Sequence, residues 1–169
     1  MVKMKAIFTI MFSCVLGGAA WAQAPGEVVK AKVTMASAVA RADSVLRAAV
    51  TVDVLSGYHI NDHHPSLDYL IPTEVKLEPA DNVTLKDITY PKGEMRKFAF
   101  SDGLLSVYEG AFRVDVALQL DRKMLLGSHE VKGKFSYQAC NDHACLPPAS
   151  VPLTFSFKVV RHVASARQN

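Results

Sequence analysis

An all-β fold, an antiparallel sandwich of two sheets, follows from two features of this sequence. Apolar side chains return at every second position along several stretches, the period of a strand with one buried face. Turn residues interrupt those stretches at short intervals and no convincing long helix lies between them, which is the pattern of a sandwich.

Val28 to Val33 reads as a first short strand. The alanine-rich stretch 36–49 has a spacing that would suit a helix, but clean alternation begins at Leu46 and favours strand or loop. Leu46, Ala48, Val50, Val52 and Val54 alternate with Arg47, Thr51 and Asp53, so one face is apolar and the other polar. Ser56-Gly57 closes that strand. Shorter strands are expected over Thr73 to Leu77, Val83 to Tyr90 and Met95 to Phe100, separated by Pro79-Ala80-Asp81-Asn82 and Pro91-Lys92-Gly93. Beyond Ser101-Asp102-Gly103, Phe112, Val114, Val116, Leu118 and Leu120 alternate with Arg113, Asp115 and Gln119. Gly127-Ser128 turns the chain into a strand that runs to Cys140. In the last strand Val151, Leu153, Phe155, Phe157 and Val159 alternate with Thr154, Ser156 and Lys158.

The N-terminus has the form of a secretory signal peptide over residues 1–22. Lys3 and Lys5 precede an apolar run from Ala6 to Leu16, and Ala20-Trp21-Ala22 supplies a small-residue cleavage site. The run is too short to span a bilayer. Cleavage after Ala22 is expected rather than after Ala24, which would leave Pro25 next to the cut. Cys14 leaves with that segment, since Met11-Phe12-Ser13 is a poor lead-in to a lipidated cysteine. Residues 23–169 are then one domain, long enough for its own core, exported to the periplasm. With 50% hydrophobic residues and a net charge of +3 from scattered basic side chains, nothing points to nucleic acid.

The chemistry concentrates in Tyr137-Gln138-Ala139-Cys140-Asn141-Asp142-His143-Ala144-Cys145-Leu146-Pro147-Pro148. Val131, Phe135, Tyr137 and Ala139 share one phase of the incoming strand, and Lys132, Lys134, Ser136, Gln138 and Cys140 share the other. Regular pleating therefore places Cys140 on the solvent side. If the chain reverses over Asn141 to Ala144, the two cysteines face each other across a hairpin mouth. Directly opposed residues there have α-carbons about 4.5–5.5 Å apart, which a disulfide accepts. Closing so short a loop stabilises the fold by only about 2 kcal/mol in the loop-entropy model.

Three readings remain. The pair can be an inert disulfide on a non-catalytic binding sandwich. It can be a soft-metal site for Cu(I) or Zn built from Cys140, Cys145 and His143, completed by His59, His63, His64 or His129. It can be a redox pair, because an exposed bridge of small structural value is one that a partner thiolate can attack and reverse. The last is favoured, with no bound cofactor and no resident metal.

Tyr137-Gln138-Ala139-Cys140 with Cys145-Leu146-Pro147-Pro148 resembles the N-terminal periplasmic domain of the thiol:disulfide interchange protein DsbD. Gly57-Tyr58-His59-Ile60-Asn61, Leu70-Ile71-Pro72-Thr73 and Ser106-Val107-Tyr108-Glu109-Gly110 are similar to further stretches of that domain, in the same order. The resemblance implies an immunoglobulin-like sandwich whose cysteines exchange electrons with thioredoxin-fold periplasmic proteins and a separate membrane electron donor of DsbD or CcdA type. It implies that Cys145 forms the mixed disulfide and Cys140 resolves it. It implies a cap loop that shields the pair: Phe100 matches the shielding aromatic best, Phe98 second, Ser101 to Leu104 complete the loop, and Tyr58 and Tyr108 match nearby aromatics. Asp142 and Asp102 are the candidates for the family's acidic neighbours, and His143 for a modulator of thiol ionisation. Two departures stand out. The CxxxxC spacing is one residue shorter than in the best-known member, and the chain ends at Asn169 without a transmembrane or thioredoxin-like domain, so the electron source is expected to be another protein.

Overall fold

The computed structural model describes residues 28–161, and every regular element among them is a strand. The signal-peptide and cleavage-site expectations, and that for Cys14, lie outside the described residues. The strands are β1 (Val29–Met35), β2 (Val39–Arg41), β3 (Val45–Val54), β4 (His59–Asn61), β5 (Glu74–Leu77), β6 (Val83–Thr89), β7 (Glu94–Lys97), β8 (Leu104–Tyr108), β9 (Ala111–Leu120), β10 (Gly127–Tyr137), β11 (Ala139–Cys140) and β12 (Ala149–Val160).

Two four-stranded sheets form the sandwich, in the orders β1-β3-β9-β6 and β2-β12-β10-β5. Their neighbours run antiparallel except β2, which pairs parallel with the end of β12. The alternating positions of β3, β9 and β12 meet between the sheets. Val50, Val52, Val114, Leu118, Leu120 and Phe155 lie there fully buried beside Phe135 of β10. Arg47, Thr51, Asp53, Arg113 and Asp115 face out. The alanine-rich stretch resolves into β2 and the start of β3, as its alternation favours. This is an immunoglobulin-like antiparallel sandwich.

A third sheet, β11-β4-β8-β7, departs from the expected two. β4 and β8 were absent from the strand pattern because they are short and do not alternate. All three residues of β4 are buried, as are Leu105, Val107 and Tyr108 of β8. Both faces are covered at β4 and the inner part of β8, whereas β7 is exposed along its length. Ala139, Ile60 and Tyr108 join the main core, while Val107 and Leu105 form a second apolar cluster with Phe98, closed by Leu67 and Leu70. A strand buried on both faces loses the period-two signature. The strand expected over 95–100 ends at Lys97, and Phe98 opens the loop that leads to β8.

Gly57 takes a positive φ of 82° in the turn between β3 and β4, a conformation that β-carbons disfavour. That turn leads directly into β4, which begins at His59.

Candidate redox site

β10 pairs with β12 over its full length and stops at Tyr137. The chain then leaves that sheet, and β11 pairs with β4 in the third, Ala139 opposite Ile60 and Cys140 opposite His59. Gln138 anchors the crossing by donating its side-chain N–H to the Leu146 carbonyl at 3.2 Å. A hairpin follows. Leu146 N–H donates to Ala139 O at 2.8 Å and Asn141 N–H to Ala144 O at 3.0 Å. The Asn141 side-chain oxygen accepts from the N–H groups of His143 and Ala144, both at 2.9 Å, which closes the turn with local bonds alone.

Cys140 and Cys145 face each other across this hairpin and are joined, with S–S 2.01 Å and α-carbons 3.9 Å apart. The two cysteines differ in exposure. Cys145 is exposed, whereas Cys140 retains 2% of its surface. The expectation that Cys140 faces solvent is therefore corrected. Its phase in the strand is as expected, opposite to Tyr137 and Ala139. However, beyond the crossing that phase points to the outer face of the third sheet, which the 98–103 loop and its neighbours cover.

His59 occupies the position opposite Cys140, so the two side chains leave the same face of the pair. The His59 ring stacks on Phe98 at 4.0 Å between centroids, and Phe98 stacks on Phe100 at 5.3 Å. Phe98 is buried and Phe100 is half exposed, so Phe98 is the inner ring of the cap and Phe100 the outer. Lys97 holds the loop in place: its ammonium donates to the Ser101 carbonyl at 2.6 Å and to that of Asp102. Ser101 adds a bond to Gly103 O at 3.0 Å.

The other expected site residues are spread more widely. Tyr58 packs at the edge of the main core and lines a cleft of about 610 Å³ with His59, Phe98, Glu109, Asp53 and Asp142. Tyr108 does not lie over the cysteines. It points to the opposite face of its sheet, where its hydroxyl donates to Asp62 Oδ1 at 2.6 Å, and burial with that bond raises its pKa. Asp142 and His143 are exposed in the hairpin turn, and Asp102 sits in the cap loop. Of His59, His63, His64 and His129, His59 is the one paired opposite Cys140. His63 stacks on Tyr90 at 3.7 Å and bonds to Thr73 O, and His129 bonds to Leu125 O. Among the described residues no three His, Cys, Asp or Glu side chains are grouped so as to hold a metal ion.

His59 is the residue that sequence reasoning underrated, as one of four equivalent histidines. Burial lowers its pKa, opposed by the negative charges of Glu109 and Asp142. Its register opposite Cys140 depends on where β11 pairs, which no local pattern reveals.

Chemically, the arrangement is a disulfide between an exposed cysteine, Cys145, and a buried one, Cys140, and an exposed bridge is the kind that thiol–disulfide exchange can open. No helix among the described residues is long and apolar enough to cross a membrane.

The crystal structure of the Proteus mirabilis ScsB N-terminal periplasmic domain is similar in fold at 12% identity, over 80% of this chain and 49% of that one, with TM-score 0.56. The reduced N-terminal domain of Neisseria meningitidis DsbD aligns at 22% identity over 80% of this chain and 90% of that one, with TM-score 0.46. A type I cohesin from Pseudobacteroides cellulosolvens aligns at 11% identity over 82% and 97%, with TM-score 0.47. No curated protein sequence matches the chain. The family model described as thiol:disulfide interchange protein DsbD, N-terminal, matches residues 26–155, and the chain belongs to that family.

Proposed function

We propose that this protein is a periplasmic thiol–disulfide exchange module that passes electrons through Cys140 and Cys145 between a membrane reductase and thioredoxin-fold partners. On this reading residues 1–22 direct export and residues 23–169 are the working domain. The observation that carries it is the unequal exposure of the two bonded cysteines, Cys145 exposed and Cys140 buried. An inert structural bridge gains nothing from such asymmetry, whereas an exchange reaction needs one sulfur to visit and one to wait.

In the accepting direction a partner thiolate attacks Cys145 Sγ. The Cys140–Cys145 bond breaks, and its electron pair leaves on Cys140 Sγ. The partner's second thiolate then attacks the partner sulfur of the mixed disulfide, releasing Cys145 as thiolate and the partner as disulfide. In the donating direction Cys145 thiolate attacks a partner disulfide and Cys140 displaces the partner from Cys145. Phe98 and Phe100 would keep other thiols from Cys140 in both directions. Asp142 and His143 in the hairpin turn and Asp102 in the cap loop serve as modulators of the pair's reactivity on this reading.

The test is trapping. Cys140→Ala incubated with an oxidised thioredoxin-fold protein should accumulate a reducible mixed disulfide through Cys145, seen by mass on a non-reducing gel. Cys145→Ala should trap far less, because its remaining thiol is buried. Equal trapping by both variants, or none by either, would reject the assignment.

A further inference from the structure

The opposed pair Cys140 and His59 suggests a role that the cysteines alone do not explain. The thiol of Cys140 is buried, so bulk water is badly placed to take its proton when it must become a nucleophile. The polar side chain directly across the strand pair is His59, itself 97% removed from solvent, and its ring lines the cleft beside the hairpin turn. One ring face is taken by Phe98, and no hydrogen bond ties its nitrogens to another described residue. No buried side-chain nitrogen among the described residues lacks a partner, so the unbonded ring nitrogens of His59 reach the cleft, where they can take up and release a proton.

We propose that His59 is the acid–base partner of Cys140: it accepts the Cys140 thiol proton as that sulfur attacks Cys145 Sγ in the mixed disulfide, and returns it when the bond reopens. This rests on the exchange reading above. The step balances. The Cys140 S–H bond breaks and an N–H bond forms on His59; the Cys140–Cys145 bond forms; the bond from Cys145 to the partner sulfur breaks, and the partner leaves as thiolate with the electron pair. In reverse, the imidazolium protonates the Cys140 thiolate as it is expelled.

The surroundings suit a base. Burial keeps His59 neutral at neutral pH, ready to accept. Glu109, just after β8, and Asp142 of the hairpin turn favour the imidazolium once formed. Asp53 lines the same cleft from the end of β3. Arg96 of β7, paired with Glu109 at 3.0 Å and Glu94 at 2.7 Å, moderates that negative field. Lys97 is turned into the cap-loop carbonyls.

The experiment needs no protein partner. Reduced protein is mixed with one equivalent of dithiobisnitrobenzoate, and thionitrobenzoate release is followed by stopped flow. The first phase reports attack by Cys145, and the second reports displacement by Cys140. In the wild type the second phase should rise with pH only through the histidine range and level off above about pH 6.5. In His59→Gln and His59→Phe it should be slowed about 10- to 100-fold at neutral pH and climb instead toward the thiol range, with partial rescue by added imidazole. The first phase is the internal reference. A wild-type second phase that climbs smoothly into the thiol range overturns the role of His59 even if neither variant folds, as does a second phase unchanged in folded variants. Absence of the first phase in the wild type would instead sink the exchange reading, and this inference with it.

Discussion

Asp62 follows β4 and is the most heavily bonded side chain near the site. Its carboxylate accepts from Tyr108 OH and Ser106 Oγ, each at 2.6 Å, and from the N–H groups of His64 and Gly93, each at 3.2 Å. Burial acts to raise its pKa, but these four donors outweigh it and the net shift is downward. Asp62→Asn turns an amide N–H₂ toward two of the donors, and should cost about 2–4 kcal/mol of stability in urea titrations. The pH dependence follows in sign. Between the folded pKa and the ordinary value of 3.8, the unfolded chain holds the proton that the fold refuses. The contribution of Asp62 is thus complete above that ordinary value and lost as pH falls through the folded one. His59 behaves alike at higher pH. Its lowered pKa means that stability declines as pH falls below 6.5, where the unfolded histidine is protonated first. Wild-type unfolding free energy should therefore fall in two stages on acidification, and His59→Phe should lack the upper one.

The cap is an element of one loop, residues 98–103, held at its base by Lys97 and at its inner ring by His59. Phe98 also belongs to the second apolar cluster, so Phe98→Ala should cost roughly 3 kcal/mol and open the buried sulfur at the same time. Reduction of the disulfide by dithiothreitol should then run faster than in the wild type, and alkylation of Cys140 after reduction should approach that of Cys145. Unchanged labelling of Cys140 would show that the rings are not what covers it. The segment before β7 has its own constraint. Gly93 lies so close to the Asp62 carboxylate and Ser106 that an added β-carbon would collide with both. Gly93→Ala must move β7 or break the Asp62 bonds, at a cost of about 1–3 kcal/mol in the same titrations.

At the scale of the molecule, the disulfide contributes little to the fold. The main core lies between two four-stranded sheets whose pairing does not involve the hairpin, and the bridge closes a loop of only a few residues. Reduction should lower stability by about 2 kcal/mol and the melting temperature by roughly 4–8 °C, with a cooperative transition retained. Loss of the transition on reduction would make the bridge structural rather than exchangeable. The main core thus lies in the sandwich, and the third sheet, a few short strands, carries the cysteine pair at its margin.

Local pattern alone was enough for the long strands. In β3, β9 and β12 the buried face is written into alternate residues, because each strand there has one apolar and one polar side. The hairpin was legible too, since Asn141 and the cysteine spacing close it by bonds within the segment. Chain folding settled the rest. Cys140 kept the phase that its strand implied, yet that phase opens onto a face covered by residues about forty positions earlier, and His59 came opposite it only through pairing across some eighty residues. Periodicity records which side a residue faces, whereas what stands on that side is fixed by contacts between segments remote in the chain.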